Sequence, residues 1–197
     1  MRQTPIGDRL PWPEQAPRDG DTMLRRFRTG DAAMAVRLAG DPYWPLVSTL
    51  PAHATSDEAS RWVDRQIRRW EQGIGFSFAI ADAVTGDAVG QAGLWLRELA
   101  DGRATAGYSV GPEQRGCGRG ASALRALTRF AWTIDGLHRV ELYIEPDNEA
   151  SIRTAGAAGY RREGLLRSHR SIGGTRRDML LLATVRDDRT EGGPALP

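Results

Sequence analysis

Three glycines fall within five residues at Gly116-Cys117-Gly118-Arg119-Gly120. They stand between a strand-like stretch, Ala104 to Val110, and a helical pattern running from Ala121 to Ile134. No other segment restricts the fold as much. Glycine at this density lets the backbone come close to a ligand. The free N–H groups of the following helix point into the same space, and the helix dipole favours negative charge there. Arg115 and Arg119 add cations at the same mouth. The natural occupant of such a turn is a pyrophosphate.

The flanks read as one mixed α/β domain with no repeat and no internal linker. Asp21 to Arg28 is a short strand candidate, and Gly30-Asp31 opens a helix that stops at Asp41-Pro42-Tyr43-Trp44-Pro45. Ser56-Asp57-Glu58 reads as a helix start, followed by Ala59, Trp62, Val63, Ile67 and Trp70 at helical spacing. Phe76–Ala81, Ala88–Arg97 and Ala104–Val110 form an antiparallel meander separated by turn residues. After the glycine turn and its helix come a strand at Arg139–Glu145, a short helix at Asn148–Ala158, and two strands around Gly173-Gly174. Residues 1–20, with four prolines, are expected to form an extended arm. Residues 21–186 are the domain, and 187–197 a flexible tail.

Composition removes several classes of function. All 27 basic residues are arginine. A Walker A phosphate loop, a lysine Schiff base and a lysine nucleophile are therefore excluded. One cysteine, Cys117, supports neither an internal disulfide nor a multi-cysteine metal centre, and no metal site is expected. No run of about 18 apolar residues exists, which argues against a membrane span. The first nine residues lack the apolar run of a secretory signal, so a cytoplasmic location is expected. The net charge is only +2, and the arginines are spread among acids, which argues against a nucleic-acid partner.

Two glycine motifs can be read in the turn. Gly116-x-Gly118-x-x-Ala121 matches a dinucleotide-binding string, but five residues including Pro112 separate Val110 from Gly116, and too little chain follows for that fold. Arg115-x-x-Gly118-x-Gly120 is the better reading, and it resembles the pyrophosphate loop of the GNAT acetyltransferase superfamily. The resemblance continues on both sides. Gly107-Tyr108-Ser109-Val110 looks like that family's fourth strand entering the loop. Arg139 to Glu145, followed by Asn148-x-x-Ser151, is similar to its fifth strand and the start of the next helix. Ala158-Gly159-Tyr160 fits its Gly-aromatic step. Gly173-Gly174 with Arg177-Asp178-Met179 looks like the closing hairpin of the RimJ/RimL-like branch, which acetylates ribosomal-protein N-termini.

The resemblance implies a mostly antiparallel sheet of about seven strands with about four helices, and splayed fourth and fifth strands. It implies acetyl-CoA as cosubstrate. Pantetheine would pair with Tyr108, Ser109 and Val110. The diphosphate would sit on Arg115, Gly116, Cys117, Gly118, Arg119, Gly120 and Ala121, with Asn148 and Ser151 on the opposite wall. Ser151 stands where the ribosomal branch carries a serine that can serve the departing sulfur. The tyrosine used by many relatives is replaced by Ala155. The two usual glutamate positions hold Thr105 and Arg170, which leaves Glu141 as the catalytic carboxylate taken forward, with Glu98, Glu145 and His169 beside it. Cys117 is expected to point away as a small residue. His53, Tyr43 and Trp44 border the acceptor side.

These residues imply acetyl transfer to a primary amine, with a protein N-terminal α-amine as the first choice. A small-molecule amine (an antibiotic, amino acid or polyamine) and a catalytically weak acyl-CoA-binding module remain as alternatives. A homodimer is compatible with the resemblance.

Overall fold

The computed structural model describes residues 10–186. Eight strands form one sheet: β1 (Arg18–Asp19), β2 (Thr22–Arg25), β3 (Gly75–Asp82), β4 (Ala88–Trp95), β5 (Arg103–Val110), β6 (Arg139–Ile144), β7 (Arg161–Ile172) and β8 (Thr175–Val185). The helices are α1 (Ala32–Ala39), α2 (Trp44–Val47), α3 (Ser56–Glu71), α4 (Arg119–Ala131) and α5 (Glu149–Ala157). The strand order is β1-β2-β3-β4-β5-β6-β8-β7, and each neighbouring pair is antiparallel except β5 with β6. This is the expected mixed, mostly antiparallel architecture. The extra strand is the two-residue β1, and the extra helix is the four-residue α2 inside the segment read as loop.

Strand alternation sorts the apolar side chains onto two faces. Phe76, Phe78, Ile80, Leu94, Val140, Leu142, Leu180 and Leu182 meet Leu124, Leu127 and Phe130 of α4 in the main core. On the other face Ala79 and Ala88 are small, which brings Met34 and Leu38 of α1 and Trp62 and Val63 of α3 close to the sheet. Leu127 is fully buried, so trimming it to alanine would cost about 2–5 kcal/mol.

Helix α3 begins at Ser56, and its cap is one residue earlier than the sequence suggests. Thr55 Oγ1 accepts the Glu58 N–H at 3.3 Å, while Glu58 Oε2 accepts the Thr55 N–H at 2.9 Å. The Thr-x-x-Glu pair is a reciprocal capping box, which outranks the neighbouring serine.

The expected arm does more than extend. Residues 1–9 lie outside the described residues. Trp70 Nε1 donates to the Leu10 carbonyl at 2.8 Å, and Trp12 packs on Phe78 with ring centroids 4.8 Å apart. The Arg26 guanidinium lies over both indoles. The proline-rich segment thus closes one end of the main core before β1 pairs with β2. The expected tail also lies outside the described residues.

Parallel pairing of β5 with β6 lasts for only three steps, Arg103 with Arg139, Ala104 with Val140 and Thr105 with Glu141. Beyond Thr105 the strands part. β5 stays paired with β4 up to Val110, and β6 with β8 up to Ile144. The edge of β5 from Ala106 to Val110 therefore faces a gap in the sheet, as the resemblance implied.

Candidate active site

The gap opens into a cleft of about 1050 Å³ lined from both faces of the sheet. Tyr108, Gly118, Gly120, Ala121, Ser151 and Thr154 line the side toward α4 and α5. Tyr43, Trp44, Ser109, Glu145 and Arg177 line the side toward α2 and the β7–β8 hairpin.

The glycine turn is shaped as a cradle. Gly116 and Gly118 hold φ of 80° and 81°, conformations that side chains rarely adopt, and nothing lies within 4 Å of where their Cβ atoms would be. Gly120 is glycine for a different reason. A Cβ there would come within 3.0 Å of the Tyr108 ring and 3.1 Å of Thr154 Cγ2. Gly118 is the N-cap of α4 and no side chain caps that terminus, so its first-turn N–H groups face the cleft mouth. Open glycines at an uncapped helix start fit a diphosphate.

Both arginines of the turn are held by acids. Arg119 binds Asp82 Oδ2 at 2.7 Å and the Asp21 carbonyl at 3.3 Å. Arg115 binds Asp41 Oδ2 at 2.5 Å, and its Nε donates to the Val110 carbonyl at 3.0 Å. The turn's anion-binding power therefore comes mainly from its backbone. The Asp82 carboxyl is held down near 2 by the Thr85 amide, Arg119 and the Val84 amide. Asp41 also accepts the Tyr43 and Trp44 amides, each at 2.8 Å. Burial alone would raise the Asp41 carboxyl, but Arg115 and those two amides outweigh it and hold it below its ordinary value.

Across the gap, Asn148 Oδ1 accepts the Ser151 N–H at 3.1 Å and so caps α5. The Tyr108 hydroxyl donates to Ser151 Oγ at 3.3 Å. Ala155, where many relatives carry a tyrosine, is fully buried. Eleven of the twelve cofactor residues expected from sequence line the cleft. Cys117 does not: its thiol is exposed and donates to the Gln114 carbonyl at 3.1 Å.

Glu141 does not line the cleft, although it was the carboxylate taken forward. It stands at the last paired step of β5 and β6, where the sheet is still closed. Oε1 takes Arg139 Nε at 2.6 Å and Oε2 takes the Tyr143 hydroxyl at 2.7 Å, with Arg103 at 3.8 Å. Burial would raise its carboxyl, but Arg139 and Tyr143 more than offset that and lower it. With both oxygens engaged it braces Tyr143, whose phenol is pushed up to about 12 by burial and by Glu141. His169 stacks on Tyr143 with ring centroids 5.0 Å apart, and Glu98 lies on Arg103 at 3.6 Å. Neither lines the cleft, and neither does His53.

Glu145, two steps further along the same strand face, does reach the cleft. It accepts from the Tyr43 hydroxyl, which burial and this carboxylate raise well above its ordinary value. Arg177 Nε lies 3.6 Å from Glu145 Oε1. Sequence reasoning missed Asp41. Its Asp-Pro-Tyr-Trp context does signal a cap for the next turn, but its partner Arg115 is 74 positions away and no local pattern reveals it.

A gap with a phosphate cradle on one face and an aromatic pocket with a carboxylate on the other can bring two substrates to one point, which is the work of a group transferase. Residues 21–161 match the family model described as Acetyltransferase (GNAT) domain. The chain belongs to the GNAT acetyltransferase family and is an acetyl-CoA-dependent N-acetyltransferase. An uncharacterized N-acetyltransferase, p20 of Bacillus licheniformis, is 28% identical over 163 residues, 83% of this chain and 92% of that one. The structure of Mycobacterium smegmatis RimJ in complex with CoA-disulfide superposes with a TM-score of 0.69 at 25% identity, covering 86% of this chain and 84% of that one. The ribosomal-protein-S5-alanine acetyltransferase of Vibrio fischeri shares the fold, with a TM-score of 0.72 at 19% identity over 89% and 98% of the two chains. Among the described residues no helix is long and apolar enough to cross a membrane, and no cluster of metal-ligating side chains occurs.

Proposed function

We propose that the protein acetylates the N-terminal α-amine of a polypeptide, with Ser151 as the proton donor to the departing thiolate. Acetyl-CoA supplies an activated thioester. The turn from Arg115 to Ala121 binds its diphosphate, and the open edge of β5 at Tyr108 to Val110 aligns its pantetheine arm. Nitrogen–carbon bond formation then accompanies carbon–sulfur cleavage. The amine proton leaves to solvent, and the sulfur takes a proton from Ser151, which is restored by the Tyr108 hydroxyl as that in turn takes one from water.

The observation that carries this reading is the Tyr108–Ser151 contact at the gap. By donating to Oγ, Tyr108 occupies one lone pair and leaves the serine's own proton free to turn toward the sulfur. An α-amine suits a cleft whose usual base positions hold Thr105 and Arg170 better than a lysine does. Its pKa of about 7.7–8.0 leaves a useful unprotonated fraction at neutral pH, whereas about 10.4 does not. The likeness in fold to an enzyme named for acetylating a ribosomal protein supports a peptide acceptor.

The test is release of free CoA across a panel of peptide N-termini, lysine side chains and small amines. Turnover of peptide α-amines well above the other classes supports the reading. Preference for lysine or small amines would replace it.

A further inference from the structure

Two arginines of the β7–β8 hairpin meet beside the acceptor side of the cleft: Arg177 lines it, together with Glu145 and Asp147, and Arg170 stands outside the lining. Arg170 and Arg177 stand directly opposite each other in the β7–β8 pair. Like charges so placed repel and cost stability. Arg177 Nε lies 3.6 Å from Glu145 Oε1, too far for a hydrogen bond. No carboxylate among the described residues pairs with Arg170. Both guanidinium groups also act on the Tyr43 hydroxyl, against the field of Glu145. Beside them, Trp44 Nε1 is buried and has no hydrogen-bond partner, although Trp44 lines the cleft. A buried donor left unmet costs about 1–3 kcal/mol. Two opposed cations, one of them in the cleft lining, call for an acceptor oxygen, and the unmet Trp44 donor adds to that demand.

We propose that the amine acceptor carries an anionic group, a carboxylate or phosphate, next to its amine, and that Arg177 binds that group from the cleft wall while Arg170, its cross-strand partner, adds to the positive field there. Glu145 and Tyr43 then face the amine end. The division is stereochemically sensible. Guanidinium forks match planar carboxylate and phosphate oxygens, and the excess positive charge favours the unprotonated amine that the reaction needs. In a polypeptide the group would be an acidic side chain in the first few residues. In a small molecule it would be a carboxylate or phosphate beside the amine. This inference rests on the acetyl-transfer reading of the same cleft.

Two matched pairs of acceptors test it with the full-length protein and saturating acetyl-CoA. Peptides beginning Ala-Asp-Gly and Ala-Asn-Gly form one pair, phosphoethanolamine and ethanolamine the other. The anionic member of at least one pair should show kcat/KM higher by about tenfold or more, and the pair that shows it identifies the source. In Arg177→Gln, and separately in Arg170→Gln, that ratio should fall toward one. Arg167→Gln, on the same hairpin but neither lining the cleft nor paired with Arg177, should keep it. Acetyl-CoA affinity by calorimetry reports whether each variant is folded. Equal rates within both pairs, or a ratio that survives Arg177→Gln and Arg170→Gln in folded protein, would overturn this inference alone. Absence of turnover with every amine, acetyl-CoA still binding, would overturn the transfer reading and this inference together.

Discussion

The Tyr108 hydroxyl bridges the gap between β5 and α5 to reach Ser151 Oγ at 3.3 Å. One side chain comes from β5 and the other from the first turn of the helix after β6. We expect Ser151→Ala to lower kcat by about tenfold or more while leaving acetyl-CoA affinity nearly unchanged. Tyr108→Phe should lower kcat by less, and the double variant should be no worse than Ser151→Ala alone. Steady-state kinetics with calorimetry checks this. An unchanged kcat in folded Ser151→Ala would reduce the serine to an α5 residue with no part in transfer.

Gly118→Asp should weaken acetyl-CoA by well over tenfold. The change forces a side chain into a left-handed conformation at φ 81° and puts a negative charge at the start of α4. Calorimetry on folded variant protein is the measurement, and unchanged affinity would move the diphosphate elsewhere.

Asp41→Asn should cost about 1 kcal/mol in stability, by loss of the charged partner of Arg115, while keeping an oxygen for the Tyr43 and Trp44 amides. The pH dependence has a definite sign. The folded carboxyl sits below its ordinary value, so its contribution is present above about pH 4 and is lost as pH falls through the folded pKa. Wild type should lose stability over that acidic range more steeply than Asp41→Asn, as followed by thermal denaturation.

Glu141→Gln separates a brace from a base. It removes the charge that Arg139 and Arg103 share and loosens Tyr143, so stability should fall by about 1–3 kcal/mol. Rate per folded molecule should hold within a few fold, because the side chain stands off the cleft. A loss of several orders of magnitude in kcat would make it the base after all.

The pH–rate profile should follow the acceptor. With Glu141 engaged and Thr105 and Arg170 at the usual carboxylate positions, kcat/KM should rise toward alkaline pH with an inflection that moves with the acceptor's own amine pKa. Two acceptors about two pKa units apart suffice. A shared inflection near pH 6–7 would indicate an enzyme group.

The fold was largely legible because its signals are local. Strand alternation in Phe76–Ala81 and Arg139–Glu145, the helical spacing after Ser56 and the glycines of the turn each act within a few residues. The proposed donor half of the site was legible in the same way, since Arg115 to Ala121 is one continuous segment. What escaped depends on distant pairing. Arg115 and Arg119 look like free cations until folding brings Asp41 and Asp82 against them. Glu141 and Glu145 share a strand face, so alternation cannot choose between them. The choice is made by the point at which β5 leaves β6, at Thr105 and Glu141, and that point is a property of two strands together.

The parting of β5 from β6 also gives the sheet two doorways instead of one. With the proposed donor site on one face and the proposed acceptor site on the other, neither substrate would bar the other's way in or out. We expect a kinetic order that is sequential through a complex of both substrates, with no acetyl group parked on the protein between visits. The same layout lets spent CoA and a fresh acceptor be bound at once. Such an abortive pair would make turnover slow at high acceptor concentration once CoA has accumulated.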